Sequence, residues 1–420
     1  MPNFDALTVH ADRIKNAGST IIQELGYGLA MGAEYLTRLT EMGMSVDEVA
    51  PKIRFNFATG PIYFMEIAKV RAARLLWANI VNAYGPKDAD ITKMTIHSSN
   101  ASWNKTIYDP YVNMLRTTTE TMSSTLGGVN SFTVLPFNAV YEERTEFSER
   151  IARNQQLLLK EESYLDKVAD PAAGSYYIEN LTDSIAEHAW DIFLQVMDQG
   201  GFVEAFHNGF VQKNIKETAQ KRDMNIATRK ETLLGTNQYP NFSEQKEKEL
   251  DPELFEVEDE TLDDAEVETL KAYRGAQEFE LLRYHTDQYA KNNKRPKVFM
   301  LTYGNLSMRR ARSQFASNFF ACAGYEVVDN NGFDSVEKGV NAAIQADSDI
   351  VVLCSSDDEY AEIAPKAHDL LKNKAIMVVA GYPKDSIEML QKEGIHNFIH
   401  LKSNVLETLK GYQRELGIES

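Results

Sequence analysis

The chain has 420 residues, 43% of them hydrophobic, and a formal net charge of −18. That length can bury more than one core, so roughly two or three domains are expected. The acidity argues against a nucleic-acid or anionic-membrane partner, since either needs a basic face. No apolar run approaches the roughly 18 residues of a membrane span, and the start lacks a basic stretch ahead of an apolar block, so the chain reads as cytoplasmic. The two cysteines, Cys322 and Cys354, fall inside a predicted helix and a predicted strand, which suits buried thiols better than a disulfide framework or a metal site.

In chain order, the first strand is Ala6 to His10, followed by a helix from about Ser19 to Met42 that Gly43 stops. A second cycle has strand Ile53 to Phe57, the turn Ala58-Thr59-Gly60, Pro61 at a helix start, and an amphipathic helix through Tyr84 that Gly85 ends. A third has strand Lys93 to His97, a polar turn Ser98 to Asn104 and a helix from about Pro110 to Leu126. Alternation at this spacing means parallel β/α units. Three such units are too few to close an eight-stranded barrel, so the chain is expected to be a fragment or to be completed by another polypeptide. Ser131 to Leu135 can add one short strand. Helices follow at Thr145 to Lys160 and about Asn180 to Met197, with helical packing to about Leu233.

From Ser243 to Glu268 there are 13 acidic residues against two lysines, with almost no apolar periodicity before Leu262. This reads as a solvated acidic linker, followed by a charged helix over Leu262 to Lys291. The last domain starts near Pro296 and repeats strand and helix, with strands at Val298 to Leu301, Tyr325 to Val328, Ile350 to Cys354, Ile376 to Ala380 and Phe398 to Leu401. The expectation is a flavodoxin-like three-layer sandwich with strand order 2-1-3-4-5. Its first turn, Thr302 to Leu306, with Ser307 as helix N-cap and Gly324 as helix terminator, is where such a sheet normally holds a ligand. The expected division is a partial barrel over 1–140, a helical extension over 141–242, the acidic linker and charged helix over 243–295, and the last domain over 296–420.

Four stretches, Phe64 to Ala78 (FMEIAKVRAARLLWA), Asp109 to Met122 (DPYVNMLRTTTETM), Glu149 to Ser163 (ERIARNQQLLLKEES) and Lys167 to Glu179 (KVADPAAGSYYIE), resemble the cobalamin-dependent methylmalonyl-CoA mutases, in the family's order. The resemblance implies the C-terminal part of a (β/α)8 TIM barrel, about its last three strands and N-terminally truncated, joined to a flavodoxin-like cobalamin-binding-type domain. In that family an Asp-x-His-x-x-Gly signature at the first turn of the last domain binds the corrinoid: the His coordinates cobalt, the Asp orients it and the Gly gives the backbone access. Aligned back from Gly324, these roles fall on Ser307, Arg309 and Arg312. A guanidinium has no lone pair for cobalt. The family's catalytic Tyr-His pair falls on Asp12 and Arg13, and its cofactor-facing Glu residues on Asn16 and Ala139. A His-x-Gln-Thr-Ser-Gly-Trp motif becomes His97 to Trp103, with Ser99 and Ser102 at the Gln and Gly positions.

Helix-forming sequence survives here while site residues do not, the reverse of what a working enzyme needs. The chain resembles the small, non-catalytic subunits of heterodimeric bacterial mutases. The resemblance implies an isomerase of propionate metabolism in which a catalytic large subunit binds adenosylcobalamin, while this chain has no catalytic residue, no metal and only vestigial cofactor positions at Ser307, Arg309, Arg312, Ser356 and Gly381. Ser355, Ser356 and Gly381 can equally be ordinary strand-end turns. His97 and His10 read as structural, and His396 and His400 lack a third ligand at metal-binding spacing. An alternative is a cobalamin- or acyl-CoA-binding module, with non-His corrinoid binding or anion binding through the cluster at Arg309, Arg310 and Arg312. The plainer reading of that cluster is surface charge or interface ion pairs.

Overall fold

The computed structural model describes residues 7–246, 249–255, 267–372 and 374–418. It divides into two compact units, one holding Met1–Asp223 and Pro252–Gly275, the other Met224–Asp251 and Ala276–Ser420. The boundary differs from the sequence-based division. Residues 224–242 go with the last domain rather than with the helical extension, and the expected linker region is shared between both units.

In chain order the first unit runs β1 (Leu7–His10), α1 (Ala11–Asn16), α2 (Ile21–Glu41), α3 (Val46–Val49), β2 (Ile53–Thr59), α4 (Tyr63–Ala83), β3 (Thr95–Asn100), α5 (Val112–Gly127), β4 (Ser131–Thr133), α6 (Glu146–Glu161), α7 (Tyr176–Asp198), α8 (Phe202–His207) and most of α9 (Phe210–Ala227). The four strands pair in parallel in the order β1-β2-β3-β4. Each strand beside its sequence neighbour is the order of a barrel segment. There are four strands rather than about three, and β3 runs on to Asn100 through residues whose polarity suggested a turn. The Ser98 hydroxyl is satisfied internally. Ser98 Oγ donates to the Phe57 carbonyl at 2.9 Å and lies 2.8 Å from Thr59 Oγ1, which in turn lies 2.6 Å from Ser124 Oγ. A buried serine such as Ser98 is permitted in a strand where its hydroxyl finds a partner.

The core of this unit lies between the sheet and its covering helices. Phe55 and Phe57 of β2 are buried, and Trp77 of α4 meets Phe55 edge-on at 4.7 Å. Thr20 and Gln23 form a reciprocal capping box that starts α2. Helix α7 packs against both α2 and α4, and its approach to α2 depends on Gly26: a β-carbon there would lie 2.8 Å from Ile192 and 2.9 Å from the Ala189 carbonyl oxygen.

The second unit contains α10 (Gln277–Asn292), β5 (Lys297–Thr302), α11 (Leu306–Ala321), β6 (Glu326–Val328), α12 (Val336–Gln345), β7 (Ile350–Cys354), α13 (Tyr360–Leu371), β8 (Ile376–Ala380), α14 (Ile387–Lys392), β9 (Phe398–Ile399) and α15 (Val405–Glu415). Its five strands are all parallel in the order β6-β5-β7-β8-β9. This is the 2-1-3-4-5 order expected from the sequence. Central β7 is buried at all five residues, as suits a strand covered on both faces. Gly324, at φ +74°, follows α11. Cys322 and Cys354 are buried free thiols. Among the described residues no helix is long and apolar enough to cross a membrane.

Among the described residues the charged helix begins at Gln277. Residues 256–266 of the acidic stretch, with 247 and 248, lie outside the described residues. Residues 267–275 are not helical: Tyr273 N donates to the Asn16 carbonyl and Gly275 N to the Trp103 carbonyl at 2.8 Å. Bonds to neighbouring backbone replace the helical ladder here. The described acidic residues are not a free linker either, because Arg283 donates to the carbonyls of Asn241 and Glu244, both at 2.6 Å, and Lys246 N donates to Asp287.

Gly26→Ala is expected to destabilise the first unit by about 1–3 kcal/mol through overpacking against α7, although alanine is the better helix former by about 1 kcal/mol. Urea unfolding followed by far-UV circular dichroism checks the sign.

Candidate functional site

In sheets of both kinds chemistry is placed at the C-terminal strand ends. In the first unit the end of β2 is held by buried charges. Lys69 Nζ lies 2.8 Å from Glu24 Oε2 and 2.6 Å from Glu66 Oε2, and donates to the Ala58 carbonyl at 2.9 Å. Glu24 accepts from Ala58 N at 2.7 Å and Glu66 from Gly60 N at 2.9 Å. Burial opposes the charge on Lys69, but Glu24 and Glu66 outweigh it and hold the ammonium above the usual lysine value. Lys15 Nζ is 3.9 Å from Glu66, and burial dominates there, pulling its pKa down.

The end of β3 has a second buried cluster. Glu120 accepts from Asn100 at 2.8 Å, Asn104 at 2.7 Å and Lys105 at 2.9 Å, and Lys105 Nζ also donates to the Ala101 carbonyl. Neither cluster was singled out from the sequence. The signal was there: Glu24, Glu66, Lys69 and Glu120 are charges on helix faces that otherwise carry apolar or small buried residues.

The positions matched to the family's barrel motifs are arranged differently from a catalytic group. Asn16 Oδ1 accepts from Ser102 N at 2.9 Å, and the Arg222 guanidinium lies 3.3 Å over the Trp103 ring. Tyr273 packs edge-on against Trp103 and donates to Asp223 at 2.9 Å. Residues 267–275 thus cover these strand ends with backbone and an aromatic ring. Asp12 lies 3.4 Å from His10, Arg13 is exposed, and Ala139 is half-buried in a turn closed by its N–H to the Pro136 carbonyl. His97 has Ser131 Oγ 2.8 Å from Nδ1 and Thr133 Oγ1 3.3 Å from Nε2. Burial first, then Arg54, lowers its pKa, and the ring lies between two hydroxyls.

In the second unit the turn after β5 is organised by Glu359. Its carboxylate accepts from the hydroxyls of Ser355 and Ser356, from Ser356 N at 3.2 Å and from Asn305 N at 3.4 Å. It also closes on Gly304, where a β-carbon would meet its oxygens. Burial works against this charge, but the donors prevail and the pKa lies below the usual value of 4.5. Asn305, not Ser307, caps α11, accepting from Ser307 N, Ser307 Oγ and Met308 N. A side-chain amide two residues before Ser307 reaches the free N–H groups first.

Arg309 and Arg312 diverge rather than forming one cluster. Arg309 donates to the Asn331 carbonyl at 3.0 Å and the Gly304 carbonyl at 3.4 Å, and covers Gly332, where a β-carbon would be 2.5 Å from its Cζ. Arg312 pairs with Asp357 at 2.9 Å and sits over Gly381, whose β-carbon would be 3.4 Å from the Arg312 Cζ. The positions Ser307, Arg309, Arg312, Ser356 and Gly381 are therefore brought to the C-terminal edge of one sheet, but they are bonded to other protein groups. His396 and His400 flank β9, and His400 Nδ1 accepts from Lys402 N at 3.1 Å.

Comparison with known proteins fits this arrangement. A family model described as methylmalonyl-CoA mutase matches residues 1–303. The chain belongs to the methylmalonyl-CoA mutase family. It is 54% identical over 419 residues to the methylmalonyl-CoA mutase small subunit of Porphyromonas gingivalis, covering 100% of this chain and 67% of that protein. To the small subunit of Streptomyces virginiae it is 36% identical over 379 residues, 90% of this chain and 60% of that one. To the methylmalonyl-CoA mutase of Cereibacter sphaeroides it is 29% identical over 480 residues, 98% of this chain and 68% of that one. The chain thus spans about two thirds of the length of these relatives.

Lys69→Met leaves Glu24 and Glu66 buried without their cation, and a loss of about 3–5 kcal/mol in unfolding free energy is expected, read from urea denaturation. Glu359→Gln tests the other knot. Because the native pKa of Glu359 is depressed, its stabilisation is present above 4.5 and is lost as pH falls through the lower native value. The wild-type advantage in denaturation midpoint should be greatest at neutral pH and disappear on acidification.

Proposed function

We propose that this chain is the structural, non-catalytic small subunit of a heterodimeric methylmalonyl-CoA mutase. The partner large subunit binds adenosylcobalamin and carries the radical interconversion of (R)-methylmalonyl-CoA and succinyl-CoA, with the chemistry supplied by the cofactor and the positioning by protein.

The observation that carries this reading is the occupied turn after β5. The position aligned with the cobalt-ligating histidine is Arg309, engaged with two backbone carbonyls. The position aligned with the access glycine is Arg312, paired with Asp357 over Gly381. These residues do not fit an axially ligated corrinoid: a guanidinium offers cobalt no lone pair, and two side chains fill the surface that the cofactor would approach. The barrel-side positions support the same reading, since Asp12, Arg13, Asn16 and Ala139 present no tyrosine, histidine or glutamate. The 54% identity to a protein named as a small subunit, over essentially the whole chain, supports the subunit class. A cytoplasmic setting accords with the sequence.

Size-exclusion chromatography of the purified chain, and of a full-length version, with a catalytic large subunit should give a 1:1 complex. The complex should carry the cobalamin absorption spectrum, and the chain alone should be colourless after incubation with adenosylcobalamin and desalting. Failure of both versions to form a complex, or a stoichiometric corrinoid on the isolated chain, sinks the assignment.

A further inference from the structure

The second unit carries a groove against α11. It encloses about 940 Å³ between the outer face of α11, the end of β6 and residues 229–242, within the size range of small-molecule clefts. Three guanidiniums line it, from Arg229, Arg309 and Arg310, against a single carboxylate, Asp329. Asp329 is already engaged by Ser313 Oγ at 2.7 Å and Asn330 N at 2.8 Å. Among the described residues, no carboxylate forms an ion pair with any of these three arginines. In a chain of net charge −18, three uncompensated guanidiniums facing one groove make a local site for an anion.

Several lining residues also carry buried polar atoms without a partner. Ser317 retains 7% of its surface, and its hydroxyl has no hydrogen-bond partner in the protein. Arg229 Nε, Gln238 Oε1 and Asn318 Oδ1, from three further lining residues, are likewise buried and unpaired. A buried polar atom without a partner costs about 1–3 kcal/mol. Arg229 is nevertheless firmly placed. It adopts φ +60° and donates through Nη2 to the Asn318 carbonyl at 3.1 Å and Cys322 Sγ at 3.2 Å. The loop that follows is tied by Asn237, which bonds Leu233 N and the carbonyls of Ile226 and Glu231. The rim carries two exposed aromatic rings, Tyr239 at 64% and Phe242 at 51%.

We propose that this groove binds a nucleoside phosphate. Guanidinium forks match phosphate oxygens in charge and in bidentate geometry. The exposed rings offer a flat apolar face for a base. A bare phosphate leaves the rings idle, and an uncharged nucleoside leaves the guanidiniums without an anion. The groove shares Arg309 with the turn held by Glu359, and it stands whether or not the chain pairs with a large subunit.

Isothermal titration calorimetry of the full chain with ADP, pyrophosphate and adenosine tests this. ADP is expected to bind more tightly than either part. Arg310→Glu, at an exposed position, should weaken ADP by about tenfold or more, the scale of one lost charge-assisted hydrogen bond. Tyr239→Ala, also exposed, should weaken ADP and leave pyrophosphate unchanged. No ADP binding by wild type, or equal binding by wild type and Arg310→Glu, overturns the proposal. So does Arg310-dependent capture of a polyglutamate peptide without ADP binding, which makes the groove a protein-docking surface.

Discussion

One ammonium between two carboxylates fixes the first unit. Lys69 reaches from α4 to Glu24 of α2 while Glu66, one helical turn earlier, completes the bridge, and the same three side chains bond Ala58 and Gly60 where β2 ends. Burial makes each charge expensive alone and strongly interacting when paired. The two helices and the strand end are therefore registered to one another by groups that cannot be exchanged one at a time. Glu120 and Lys105 repeat the device at the end of β3.

The second unit uses one carboxylate in a comparable way. Glu359 gathers backbone and hydroxyl donors from the ends of β5 and β7, so the turn that would face a ligand is closed by the protein's own hydrogen bonds. Arg309 and Arg312 then extend in different directions, onto the loop at Asn331 and Gly332 and onto Asp357 beside Gly381. A fold built to hold a ligand at this edge keeps its sheet order when the edge is refilled, because the sheet is stabilised by the buried strands and not by what occupies the turn.

Much of the fold was legible in the chain. Alternating apolar strands and amphipathic helices predicted parallel β/α units and the 2-1-3-4-5 order of the second sheet, because both follow from period and right-handed crossover. Local polarity misled at two places. Ser98, Ser99 and Asn100 read as a turn yet form a strand, since their partners are remote in sequence. Among the described residues the helix expected from Leu262 begins at Gln277, since Tyr273 and Gly275 donate to backbone on other elements.

The sequence by itself determined the family and the alternation of elements. These depend on residue identity and on spacing along the chain. Only the tertiary structure decided which charges are neutralised by which. It buried Glu24, Glu66 and Lys69 together, separated Arg309 from Arg312, and brought Arg229 beside Arg309 and Arg310 from a loop some eighty residues away along the chain. Electrostatic partnership depends on distance and burial, and neither quantity is written in the order of the residues.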